Sequence, residues 1–200
     1  MTQYADMRRP TKREILDRLS SGASMAGLNL SSMDLSGLNF DTSDLRGTWF
    51  KDSDLSHSTF RSSDLRRAVL WDAILDFAVL SDANLCEADM KGVTIRNGNL
   101  DRAKLIGAIL GCGNLTGSSL RYADLTLVRG SNVKFHRANL SFADLSNATL
   151  LSADFTSAYL HGAKLKGTGL RSADFSDADL TEAVFEDADL VDTKGFRLFL

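Results

Sequence analysis

A large apolar residue recurs at every fifth position from Leu30 to Leu190 without a slip of phase. The positions are the multiples of five: of these 33 sites, 23 are Leu, seven are Phe, and Met90 and Ile95 are also apolar. Gly130 alone departs. A period of five matches neither the 3.6 of a helix nor the 2.0 of a strand. It is a repeat, and a repeat that fills most of a chain decides the architecture first.

A second pattern lies two residues before each of these centres. From Ser43 to Ala188 the 30 sites hold 18 Ala, five Ser, two Thr, two Gly and three Val. The residue between the small site and the centre is Asp or Asn in half of the pentads. Polar residues follow the centre, often with Gly second, as at Gly37, Gly92 and Gly162. Gly there suits a tight turn. Small-in, polar-out, large-in describes a strand of about three residues, and the next two residues turn a corner. Four such units close a square coil of about 20 residues, and coils can stack at about 4.8 Å. The large centre then fills the lumen, and the small residue leaves room for it.

Ser43-Asp44-Leu45-Arg46-Gly47, Ala83-Asn84-Leu85-Cys86-Glu87 and Ala173-Asp174-Phe175-Ser176-Asp177 resemble the A(D/N)LXX motif of the pentapeptide-repeat protein family. The resemblance covers about residues 23–190. It implies an all-β fold, a right-handed quadrilateral β-helix, with about eight coils of four pentapeptides. The handedness comes from the resemblance alone. Residues one coil apart then stack, so that Leu55, Leu75, Ile95, Leu115, Phe135, Phe155 and Phe175 share an interior column ending in a Phe ladder. Gly130 leaves a hole in another column. Either the wall buckles there and Leu127 or Val128 turns inward, or a small cavity remains.

Three segments follow. Residues 1–22 hold an N-terminal tail and a short α-helical cap. Pro10 and Thr11 open that helix, Thr11 with Glu14 fits a capping box, and Gly22 can end it. Ile15, Leu16 and Leu19 fall on one face, while Leu28, Met33 and Leu38 add bulk at the first small sites, where a lid would rest. Residues 23–190 are the repeat. Residues 191–200 form a C-terminal cap or dimer contact through Phe196, Leu198, Phe199 and Leu200.

Composition narrows the setting. One Pro in 200 residues argues against linkers. No run of 18 apolar residues exists, so no transmembrane helix is expected. Met1 to Pro10 carries no secretory h-region, and Cys86 and Cys112 read as free thiols, so the chain is expected in the cytoplasm.

No catalytic constellation appears, and neither a cofactor nor a metal is expected. His57, His136 and His161 are dispersed. The Asp residues recur because the repeat recurs, which suits a solvated or turn-bonding ladder. The glycines match no phosphate loop. Charge is banded instead. Residues 23–90 hold five bases against eleven acids, residues 91–137 eight against two, and residues 138–190 three against nine. The bases Lys91, Arg96, Arg102, Lys104, Arg121, Arg129, Lys134 and Arg137 form a belt rather than a groove.

These features point to a non-catalytic protein–protein interaction or regulatory rod, expected to be bacterial, with a protein partner and a possible homodimer through its C-terminal end. One stretch is apolar where the outward sites are usually polar: Val69, Trp71, Ile74, Phe77 and Val79, with Trp49 one coil from Val69. It is the candidate interaction patch. The alternative, implied by the resemblance, is a DNA-mimicking, topoisomerase (gyrase) binding protein of the quinolone-resistance type. Duplex DNA carries one charge per about 1.7 Å, so a rod of about 40 Å would need about 20 charges. The repeat changes sign in its middle and has no inserted loop, which disfavours that alternative. Direct nucleic-acid binding is not expected.

Overall fold

In the computed structural model, which describes residues 9–195, helix α1 (Lys12–Ser21) leads into a β-helix solenoid. Every bridge joins residues 20 apart in parallel, from Asn29 with Trp49 to Asp174 with Lys194. Four walls make up each turn. The first carries Trp49, Val69 and Asp89, the second Asp54, Ile74 and Thr94, the third Thr59, Val79 and Asn99, and the fourth Asp64, Asn84 and Lys104. The centres from Leu30 to Phe175 other than Gly130 are buried at 1% exposure or less. The Phe ladder forms as the columns require. Phe135 and Phe155 stack at 5.1 Å, Phe155 and Phe175 at 4.8 Å, and the rings of the second pair lie 1° from parallel.

The backbone explains the five-residue motif. Each centre's N–H donates to the coil that follows, as Leu35 does to Asp54 O at 2.8 Å. So does the N–H two residues later, as from Thr42 to Arg61 O. The N–H before the next centre donates to the preceding coil, as from Asp54 to Met33 O at 3.0 Å. A fourth closes the turn, as from Ser43 to Phe40 O at 3.1 Å. The residue directly after the centre has no such backbone acceptor. Where Asp or Asn precedes the centre, this N–H generally donates to that side chain two residues back, as from Thr116 to Asn114 Oδ1 at 3.1 Å, Thr126 to Asp124 Oδ1 at 3.0 Å and Ser146 to Asp144 Oδ1 at 3.0 Å, while those of Arg61, Arg96 and Arg121 donate to a carboxylate one coil back. The outward Asp and Asn therefore complete the donor set of a coil whose other amides bond coil to coil.

The corner carries the strain. From Gly27 to Asp192 the second residue after every centre has φ between 53° and 70°, and 26 of these residues are not glycine. Positive φ there, with the turn hydrogen bond, is the sign pattern of a type II turn. A left-handed non-Gly residue costs about 1–2 kcal/mol. Burying one Leu contributes about 1.5–3 kcal/mol, so lumen packing offsets the corners. Buried hydroxyls at small sites find carbonyls: Thr48 Oγ1 donates to Met25 O and Ser58 Oγ to Leu35 O, each at 2.9 Å. Gly98 is required by its neighbour, because a Cβ there would stand 2.6 Å from Cγ2 of β-branched Ile95.

Two expectations are corrected. The wall does not buckle at Gly130: its N–H donates to Thr149 O at 2.8 Å and Val133 N–H closes the regular turn at 3.2 Å. Leu127 keeps its corner with φ 59° and is 57% exposed, because turning it inward would break the ladder on both sides. Val128 is buried, but in its ordinary small site. The lumen closes around the glycine instead. A Cβ at Gly130 would lie 2.9 Å from Leu150 Cδ2 and 3.3 Å from Val133 Cγ1. The second correction concerns α1. Thr11 and Glu14 form the capping box and Gly22 is the left-handed C-cap, as expected. Ile15 is fully buried in the core and Leu19 packs against it, but Leu16 is 45% exposed. Residues 15 and 19 share a stripe of the helix, and residue 16 is turned about 100° away from it.

Filling the gap should harm the fold. Gly130→Leu is expected to overpack the lumen and lower stability by about 1–3 kcal/mol. Thermal unfolding of the two proteins checks this, and a stabilised Leu variant would contradict it. The carboxylate ladder predicts acid sensitivity. Hydrogen bonds from Arg46 and Ser24 hold Asp44 below the usual carboxylate range, Arg66 does so for Asp64, Ser176 for Asp174 and Thr181 for Asp179. A lowered folded-state pKa contributes stability present above the unfolded value, near 4, and lost as pH falls through the folded values. The thermal midpoint should hold from about pH 7 to 5 and drop below about pH 4. Asp174→Asn with Asp179→Asn keeps the acceptors and should blunt the drop, whereas an unchanged acid profile would contradict this role.

Candidate functional site

The walls place the apolar stretch. Trp49 bridges Val69 on the first wall, Ile74 lies on the second and Val79 on the third. Trp71 and Phe77 occupy the corners between them. The six residues therefore wrap half of a coil as a band, and no single wall carries them all. Ile74 is 43% and Phe77 51% exposed, while Trp49, Val69, Trp71 and Val79 are half-buried. Phe77 stacks on His57 at 5.0 Å, and Lys91 Nζ lies 5.8 Å from the Trp71 ring centre. The indole N–H of Trp71 is buried with no protein hydrogen-bond partner. An apolar residue before the centre also removes the side-chain acceptor for the next amide, so the band is bought at the expense of the Asp/Asn ladder.

A second aromatic cluster was not anticipated. Tyr122 and Phe142 stack at 5.1 Å and 8° on the corner after the third wall, and His161 meets Phe142 edge-on at 5.0 Å. Arg121 sits over Tyr122. A Cβ at Gly162 would lie 2.7 Å from the Phe142 ring, so the glycine makes room for it. Tyr159, on the third wall beside this corner, is 54% exposed. The signal in the sequence was the 20-residue spacing of Tyr122, Phe142 and Gly162.

The charged groups are mostly engaged. Arg96 Nε donates to buried Asp76 at 2.9 Å, and Arg102 Nε donates to Asp82 at 2.7 Å, each across one coil. Burial opposes ionisation of Asp76, yet the Arg96 hydrogen bonds outweigh it and the pKa falls. A cleft of about 510 Å³ at the corner after the fourth wall is lined by Arg46, Arg66, Arg67 and Cys86. Its arginines pair with Asp44, Asp64 and Glu87, so it presents no unmatched cationic pocket. His136 Nδ1 lies 2.7 Å from Thr156 Oγ1, which donates to Asp154 at 2.6 Å. The hydroxyl gives its one proton to Asp154, so it accepts from His136 Nδ1–H and the imidazole is not placed as its base. Among the described residues no group of His, Cys, Asp or Glu could hold a metal ion. No helix is long and apolar enough to cross a membrane among those residues. Phe196, Leu198, Phe199 and Leu200 lie outside the described residues.

Comparison with known proteins follows the repeat. A family model described as pentapeptide repeats matches in eight copies, covering residues 23–128 and 134–194. The five residues between the two matched stretches, 129–133, include Gly130. No curated protein matches the chain in sequence. Among solved structures, a pentapeptide repeat protein of the Arabidopsis thaliana thylakoid lumen is 36% identical over 49% of this chain and 68% of its own, with a TM-score of 0.48. HetL, a pentapeptide repeat protein involved in heterocyst differentiation regulation in the cyanobacterium Nostoc, is 28% identical over 91% and 95%, with a TM-score of 0.38. QnrB1, a plasmid-mediated fluoroquinolone resistance protein, is 20% identical over 84% and 88%, with a TM-score of 0.44.

Proposed function

This chain belongs to the pentapeptide-repeat family, and from that premise we propose that it is a non-catalytic rod that binds a protein partner through its outer faces. The observation that carries this reading is the band around Trp71. Ile74 and Phe77 are exposed beside half-buried Trp49, Val69, Trp71 and Val79 as one continuous apolar band, and such apolar surface marks an interface. The chemistry agrees with it: Arg67, Arg96 and Arg102 are paired with carboxylates, and the histidines lie on separate walls or coils. In this reading the solenoid is right-handed and quadrilateral with about eight coils, residues 23–190 form the binding rod, and α1 within residues 1–22 is its N-terminal lid. Residues 191–200 are the C-terminal cap or a dimer contact, and the protein works in a bacterial cytoplasm.

A second reading, binding to a topoisomerase by imitating DNA, is supported by one feature: Asp174 to Asp189 holds seven acids and no base. The basic belt from Lys91 to Arg137 interrupts the imitation along the rod, so the first reading is preferred. Affinity capture from the source cells tests it. Partners retained by the native protein should be lost, or reduced at least about tenfold, with Trp71→Ala plus Phe77→Ala. Equal capture by a variant with an unchanged thermal midpoint would contradict the band as the binding site.

A further inference from the structure

Corner amides without an acceptor are not spread evenly around the tube. At the corner after the first wall, the N–H groups of Lys51, Trp71, Lys91, Gly111, Ser131, Leu151 and Arg171 follow one another coil after coil. None of them finds an acceptor among the described residues. At the other corners the longest such run is Lys166 with Glu186. An N–H left without a chain acceptor must be met by water or by a ligand.

Elsewhere the fold shows what it sets before this N–H. Two residues back, Asp124 Oδ1 accepts from Thr126 at 3.0 Å. From one coil back, Asp76 Oδ1 accepts from Arg96 N–H at 2.8 Å, and Arg96 Nε closes on the same carboxylate at 2.9 Å. Asp41 is held in the same way by Arg61, at 2.8 Å from the amide and 3.2 Å from the guanidinium. The position is thus an oxyanion site that the chain usually fills from within.

At Ser131 both internal sources are missing. Residue 129 is Arg where an Asp would reach forward, and residue 111 is Gly where an Asp would reach across. The space over Gly111 is open, since a Cβ there would meet nothing nearer than Ser131 O at 3.9 Å. Lys134 flanks the same corner from the second wall. Neither Arg129 nor Lys134 has an ion pair among the described residues. Asp154, one coil beyond Lys134, is engaged by the Thr156 amide and hydroxyl.

We propose that the corner at Ser131 binds a phosphoryl group, carried either by free phosphate or by a phosphate ester on a partner. The N–H groups of Gly111 and Ser131, one coil or about 4.8 Å apart, and the Ser131 hydroxyl donate to its oxygens. Arg129 and Lys134 supply two positive charges that no carboxylate neutralises. A phosphate ester carries about −1.5 to −2 near pH 7, so it matches two cations better than a single carboxylate does. The site lies three coils beyond Trp71 on the same corner and does not depend on the apolar band.

Amide chemical shifts of the full chain, titrated with sodium phosphate at constant ionic strength, test this. Gly111 and Ser131 should shift saturably, with half-saturation on the order of 1 mM. Arg129→Asp restores the internal acceptor, so it should protect the Ser131 amide and abolish binding. Arg129→Gln removes only the charge and should weaken binding at least about tenfold. Arg121→Gln is the control. It removes a charge of the same belt at a corner whose amide Asp101 already accepts at 3.0 Å, and it should bind as the native protein does. No saturable shift at Ser131 up to about 20 mM phosphate overturns the site. So do equal shifts along the whole belt, unchanged binding in both Arg129 variants, or equal weakening by Arg121→Gln. A phosphoserine peptide separates the two sources: binding at least about tenfold tighter than inorganic phosphate assigns the ester, and equal binding assigns the free anion.

Discussion

One amide in each pentad has no backbone acceptor, and the rest of the wall follows from how it is satisfied. The centre, the second corner residue and the two residues before the next centre all direct their N–H groups to other carbonyls. The first corner residue finds its acceptor, where it has one, on a side chain. Asp and Asn are short enough to fold back two residues, and Oδ1 accepts where a backbone carbonyl cannot reach. That requirement favours Asp or Asn directly before the centre, and half of the pentads meet it. It forces that side chain outward, and with it the centre and small residue inward.

The same geometry sets a ledger of opposite signs along the tube. Every corner holds its second residue in the left-handed region, including bulky Tyr122, Leu127 and Phe142. No single corner would stay there alone. Columns of Leu and stacked Phe beneath it supply the opposing free energy. Gly130 shows that the tube tolerates a missing centre when neighbours close over it, since Leu150 and Val133 already occupy the space a Cβ would enter. Function is then confined to the outside. Where the outward position abandons Asp or Asn for Trp49, Val69, Ile74, Val79 or Tyr159, a turn bond has been given up for apolar surface, exposed at Ile74 and Tyr159 and half-buried at the others, and those places are the interaction candidates.

Much of this was legible in the sequence because it is periodic. The 20-residue coil, the Phe135–Phe155–Phe175 ladder and the Thr11–Glu14 capping box each follow from spacing alone. What spacing along the chain hid was spacing around it. Residues 69–79 look like one patch when read in order, yet two corners separate Val69 from Val79. Tyr122 and Phe142 look isolated in order, yet they stack. Leu127 looked like a filler for Gly130 because it is apolar and near, but the corner it occupies points outward whatever residue stands there. Leu16 failed for a related reason: adjacency to Ile15 on a helix is not a shared face.

The most direct measurement is residue-resolved amide hydrogen exchange in the folded protein. Centre amides such as Leu75 and Leu105 should be among the slowest, and amides that follow an Asp- or Asn-bearing pentad, such as Thr116, Thr126 and Thr156, should be protected as well. The amides of Trp71 and Ile106, preceded by Val69 and Lys104, have no such acceptor and should exchange much faster. Protection with no five-residue rhythm, or equal protection of Trp71 and Thr116, would contradict the account.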